Sequence, residues 1–160
     1  MLNKINFLFV TLFGIGKVKK IPGSFASLVT TIFLFFLFHI LNVSPNIVLF
    51  SVIVIFFISL YAVNIFIKDL TNKDPKEVVI DEFIGQSIPI CLYEIAHEGS
   101  IETDQVLTSY FIMFILFRIF DIVKPYPVSY YDKTLKIVLA LLWMMFVLVC
   151  TLWLFLFYIW

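Results

Sequence analysis

The sequence predicts an all-α, multi-pass membrane bundle of about four to five apolar helices, and three observations carry that expectation. The 160 residues are 62% hydrophobic and 14% charged, with a mean hydropathy of +1.09, outside the range of soluble globular domains. Apolar runs at 28–43, 47–67, 78–96, 106–123 and 137–160 are each close to the roughly 20 residues a helix needs to cross a hydrocarbon core. The segments between them carry Lys and Arg on alternate connections only, as loops on the cytoplasmic side do. So many apolar runs in a chain of this length leave room for a single domain spanning 1–160.

The N-terminal stretch 3–13 has one Lys and a short apolar core with no small-x-small cleavage pattern, so it reads as a retained segment lying at the interface. A glycine-rich basic turn with Lys17, Lys19 and Lys20 then leads into the first run. The second run ends at Lys68, with Lys73 and Lys76 following before the third. The third is the weakest span, because it holds Asp81, Glu82, Gln86, Pro89 and Glu94, and a broken or partly sunk helix fits it as well as a full crossing. Pro125 ends the fourth, and Lys124, Lys133 and Lys136 separate it from the fifth. The opposite connections, 42–46 and 97–105, contain no Lys or Arg. If the third run crosses, three polar segments far apart in sequence meet at one membrane face.

Several classes of function are disfavoured at once. A formal net charge of +0 offers no basic face to a nucleic-acid backbone. Cys91 and Cys150 lie in apolar runs without CxxC or zinc spacing, and Cys91 has His97 rather than Arg six residues on, so a cysteine-phosphatase loop is absent. Neither His39 nor His97 stands in a triad-like or HExxH setting, and each reads as a membrane-edge or loop histidine.

The three polar segments hold the candidate chemistry. In 13–28 the glycines, with Ser24 or Ser27 as hydroxyl donors, can turn backbone N–H groups and a helix N-terminus toward a phosphate; a basic turn with a helix cap is the alternative, and the GxxxxGK[ST] nucleotide pattern is missing. In 68–85, Asp81 and Glu82 lie just inside an apolar stretch, where ionised carboxylates are costly unless paired or bound to a metal. Gly85 shares a helical face with Asp81 and leaves room for a ligand or a close helix. In 117–133, Arg118 and Asp121 are three apart on one face: Arg118 suits a phosphate through its planar fork, Asp121 a metal, and Lys124 developing charge, while a plain Arg118–Asp121 pair is the alternative. Hard carboxylates beside basic residues suit Mg²⁺-assisted phosphoryl chemistry better than thiol chemistry.

These segments resemble the signature blocks of the phosphatidylglycerophosphatase A family: the glycine-rich GxG, PGS and Ser stretch, then Val-Ile-Asp-Glu-Phe-Ile-Gly, then Phe-Arg-Ile-Phe-Asp-Ile-Val-Lys-Pro-Tyr-Pro, in order over about 13–133. The resemblance implies a membrane-embedded phosphatase of the bacterial inner membrane that uses Mg²⁺ to hydrolyse phosphatidylglycerophosphate, drawn from the bilayer, to phosphatidylglycerol and phosphate at the cytoplasmic face. Carried onto this chain, it makes Asp81, Glu82 and Asp121 the catalytic and metal-holding acids. Gly14, Gly16, Gly23, Ser27, Arg118 and Lys124 become the phosphate-binding set. Ala26 stands where the family usually has glycine.

The C-terminus departs from the family, which continues with a block resembling Gly-Ile-Met-x-Asp-Asp-x-x-Ala-Gly, whereas 137–160 contains no Asp, Glu or Gly. The single codons of Trp143, Met144 and Met145, read one base earlier, force Asp-Asp-Val, and neighbouring codons permit the rest of the block. A one-base shift near Lys136 would therefore account for the tail. A catalytically inactive membrane relative stands as one alternative reading, and a small transporter as a weaker one.

Overall fold

The computed structural model describes residues 2–68, 77–97 and 103–123, and over these the chain is all-α, as its composition leads one to expect. Helix α1 (Leu2–Val10) is followed by a 3-10 turn (Ile15–Lys17) and then by α2 (Pro22–His39), α3 (Pro45–Lys68), α4 (Ile80–Ala96) and α5 (Thr103–Val123). Two helical stretches, Pro22–His39 and Pro45–Val63, are long and apolar enough to cross a membrane. The fifth apolar run, 137–160, lies outside the described residues.

Proline starts two of these helices. Pro22 and Pro45 occupy first-turn positions, where the missing N–H is one a helix leaves unpaired in any case. The outer faces of α2 and α3 are apolar, with Ile32, Phe50 and Phe57 among the side chains more than half exposed. An apolar exterior of this extent suits lipid rather than water.

The centre of the bundle is α4, which packs against α2, α3 and α5. The run that reads weakest as a span is thus the helix most enclosed by protein, buried from Ile84 through Cys91. It remains continuous through Pro89, since a lost helical hydrogen bond can be tolerated where neighbouring helices enclose it. Its polar side chains survive among apolar neighbours because those helices shield them from lipid.

The N-terminal segment is fastened to this core. Asn6 Nδ2 donates to the Ala62 carbonyl at 3.0 Å, and the Phe7 and Phe66 rings lie 5.9 Å apart, which docks α1 on α3. The Val79 amide donates to the Val10 carbonyl at 3.1 Å, so the entry into α4 is tied to the end of α1. Gly16 then lies against the Glu77 backbone so closely that a Cβ would collide with its carbonyl oxygen. The glycine-rich turn is therefore the seat on which the start of α4 rests.

Candidate active site

The start of α2, the start of α4 and the end of α5 meet at one end of the bundle, and each brings one of the three polar segments. Asp81 and Glu82 occupy the first turn of α4, where the positive end of the helix dipole favours carboxylates. Gly23 lies in the first turn of α2 with the Glu82 carboxylate against it, and a Cβ there would strike Oε1. From α5, Arg118 reaches both ways: Nη2 pairs with Asp121 Oδ2 at 3.0 Å, and Nη1 approaches Ser27 Oγ at 3.4 Å. The Ser27 hydroxyl donates to the Gly23 carbonyl at 3.0 Å. Glu82 lies within electrostatic reach of both Asp81 and Asp121. Residues from 23 to 121 thereby form one cluster.

The cluster is incomplete by its own hydrogen bonding. Asp81 Oδ1, Glu82 Oε2 and Arg118 Nε are buried without a hydrogen-bond partner among the described residues. Leaving a charged group desolvated and unpaired costs several kcal/mol in general, so three such atoms within one cluster suit a ligand with both charges: a cation at the carboxylates, an anion at the guanidinium. Two carboxylates with open oxygens fit Mg²⁺, which commonly takes one or two protein carboxylates and completes its octahedron with water and substrate phosphate. Among the described residues no three His, Cys, Asp or Glu side chains converge as a ready metal cage. Asp121 instead braces Arg118.

The remaining expected residues divide clearly. Gly16 and Gly23 serve close approach, the one to Glu77 and the other to Glu82. Gly14, at a φ of 96°, shapes the turn, with its amide on the Thr11 hydroxyl at 3.2 Å. Ser27 is a link between α2 and Arg118. Gly85 admits a neighbouring helix rather than a ligand, for a Cβ there would sit 2.7 Å from the Phe117 ring. Lys124 lies outside the described residues, as does the tail from 137.

One residue was missed. Gln86 is fully buried one turn below Glu82, and neither of its amide atoms has a partner among the described residues. The available signal was its position four residues after Glu82, a second polar side chain on the acidic face of an apolar helix.

A profile of the phosphatidylglycerophosphatase A family matches residues 8–142, and so contains all three segments of the cluster. The chain belongs to that family. A relative named phosphatidylglycerophosphatase A, from Haemophilus influenzae, is 33% identical over 136 residues, which cover 85% of this chain and 76% of the relative. No solved structure matches the chain. The family is one of phosphatases, and its match runs to residue 142.

Proposed function

We propose that the chain is a Mg²⁺-dependent phosphatase that hydrolyses phosphatidylglycerophosphate to phosphatidylglycerol and phosphate at the cytoplasmic face of a bacterial inner membrane. The observation that carries the reading is the clustering of Asp81, Glu82 and Arg118 at one end of the bundle, with Asp81 Oδ1, Glu82 Oε2 and Arg118 Nε buried and unpartnered among the described residues. Family membership supports the same chemistry, as does the name of the Haemophilus influenzae relative. The exposed Lys17, Lys19 and Lys20 beside the cluster support the cytoplasmic orientation.

Asp81 and Glu82 would hold the ion, which when bound supplies Lewis acidity at a phosphate oxygen. Arg118 binds the terminal phosphate through Nε while Ser27 and Asp121 fix its fork, which orients the phosphorus for in-line attack by water. A carboxylate of the acidic pair takes the proton of the attacking water, the bond from phosphorus to the glycerol oxygen breaks, and the carboxyl passes that proton to the departing oxygen as phosphatidylglycerol leaves. The acyl chains stay in lipid along the apolar outer faces of the helices. An embedded enzyme is needed because the substrate never leaves the bilayer.

The test is phosphate release from phosphatidylglycerophosphate in mixed micelles by the chain as written, with Mg²⁺ and with chelator, beside a version carrying the neighbouring-frame tail. Mg²⁺-dependent release by the chain as written supports the reading. Release only with the restored tail would make this chain an inactive relative, and release by neither would overturn the activity.

A further inference from the structure

At the opposite end of the bundle, where α2 and α4 finish and α3 and α5 begin, the helices enclose a second polar site. Glu94 lies twelve residues beyond Glu82 on α4, about 18 Å along the axis at the rise of an α-helix. It faces a cavity of about 330 Å³, at the lower end of the range of small-molecule sites, with Phe38, His39, Asn42, Tyr93 and His97 on the other walls.

The carboxylate is fixed in place. Glu94 Oε1 accepts from the Tyr110 hydroxyl at 2.6 Å and is bonded to His39 Nε2 at 3.2 Å, and its side chain is only 14% exposed. Neither bond engages Oε2. Among the described residues no Lys or Arg lines the cavity. The connecting segment 42–46 has none either, and Asp104 stands in the first turn of α5 at this end. A positioned carboxylate with no Lys or Arg among the described residues of its cavity favours a cation.

The walls decide which kind. Among the described residues no three His, Cys, Asp or Glu side chains converge to hold a metal ion. Aromatic residues on the walls beside the carboxylate, Phe38 and Tyr93, suit an organic ammonium, which gains from ring quadrupoles as well as from charge. Close in the chain to residues of the cavity wall, Ile40, Leu41 and Ile47 are each more than half exposed, a setting for acyl chains, while Asn42 and Ser44 on the wall offer polar contacts to a headgroup.

We infer that this cavity binds the ammonium-bearing headgroup of an amine phospholipid, with Glu94 as its anchor, at the membrane face opposite the phosphatase cluster. The site is independent of the reaction proposed above.

Native mass spectrometry of the full chain, offered an equimolar mixture of phosphatidylethanolamine and phosphatidylglycerol with identical acyl chains, tests this directly. The expected result is at least fivefold preferential retention of phosphatidylethanolamine, lost in Glu94→Gln. Ser44→Trp, which fills the mouth from an exposed position without touching the Glu94 bonds, should abolish the preference as well, and decides the matter should Glu94→Gln fail to fold. Equal retention of the two lipids, or a preference that survives both substitutions, would overturn the inference. Displacement of the lipid by millimolar O-phosphoethanolamine would also overturn it, since the site would then take a soluble amine.

Discussion

Arg118 illustrates how one side chain can be both structural and chemical. Two of its nitrogens are committed, to Asp121 and toward Ser27, and the third is buried without a partner. A lysine cannot reproduce that fork. Arg118→Lys should therefore lower kcat/KM for phosphatidylglycerophosphate by about 10- to 100-fold, the scale of one to two charge-assisted hydrogen bonds, with little change in thermal unfolding. Gln86 gives the complementary case. Removing its two unpartnered buried polar atoms in Gln86→Leu should stabilise the protein by about 1–3 kcal/mol. Turnover should fall in the same variant if the amide contacts substrate; a raised Tm with unchanged turnover would assign Gln86 to packing alone. Asp81, Glu82, Arg118 and Asp121 were legible from sequence because a charge inside an apolar run demands a reason. Gln86 was less so, since a neutral amide is tolerated in such a run and only the three-dimensional surroundings show that it has no partner.

Among the elements, the relation of α4 to α5 sets the geometry of the site. Gly85 brings the Phe117 ring into contact, and Phe117 directly precedes Arg118. Gly85→Ala forces that ring to shift and should cost about 1–3 kcal/mol as an overpacked contact. It should also reduce phosphate release, because the displacement is passed to Arg118 and Asp121. Phe117→Leu in the same chain should recover most of the rate, as read by initial velocities and thermal unfolding together. The sequence offered two readings of Gly85, room for a ligand or for a helix, and the observed contact is with a helix. It likewise ranked α4 as the least convincing span, since hydropathy counts residues without knowing what surrounds them. Enclosure by α2, α3 and α5 turns those same polar residues into an interior surface. The seat formed by Gly16 under Glu77 could not be anticipated, as close backbone approach between residues some sixty positions apart has no local signature.

At the scale of the whole molecule, charge and chemistry are segregated by end. Lys17, Lys19 and Lys20 are exposed beside the proposed phosphatase cluster, whereas the described residues lining the cavity around Glu94 include no Lys or Arg. With the cluster facing the cytoplasm, a cysteine at Lys19 should react with an impermeant thiol reagent only in inverted vesicles, and one at Asn46 only in right-side-out vesicles. The same labelling pattern for both positions would contradict the orientation. This segregation was visible in the spacing of Lys and Arg along the chain, and the all-α architecture in the apolar runs; the residues that complete each end were not, because they are set by packing among helices.

The central claim is that the acidic pair opening α4 and the Arg118–Asp121 pair closing α5 form one phosphatase site. The most direct measurement is the rate of Mg²⁺-dependent phosphate release from phosphatidylglycerophosphate by the full chain and by its Asp81→Asn and Asp121→Asn variants, each shown to be folded. The account predicts a fall of at least about 100-fold in both, the scale on which catalytic electrostatic groups act. An active parent chain whose rate is unchanged by either substitution would contradict it.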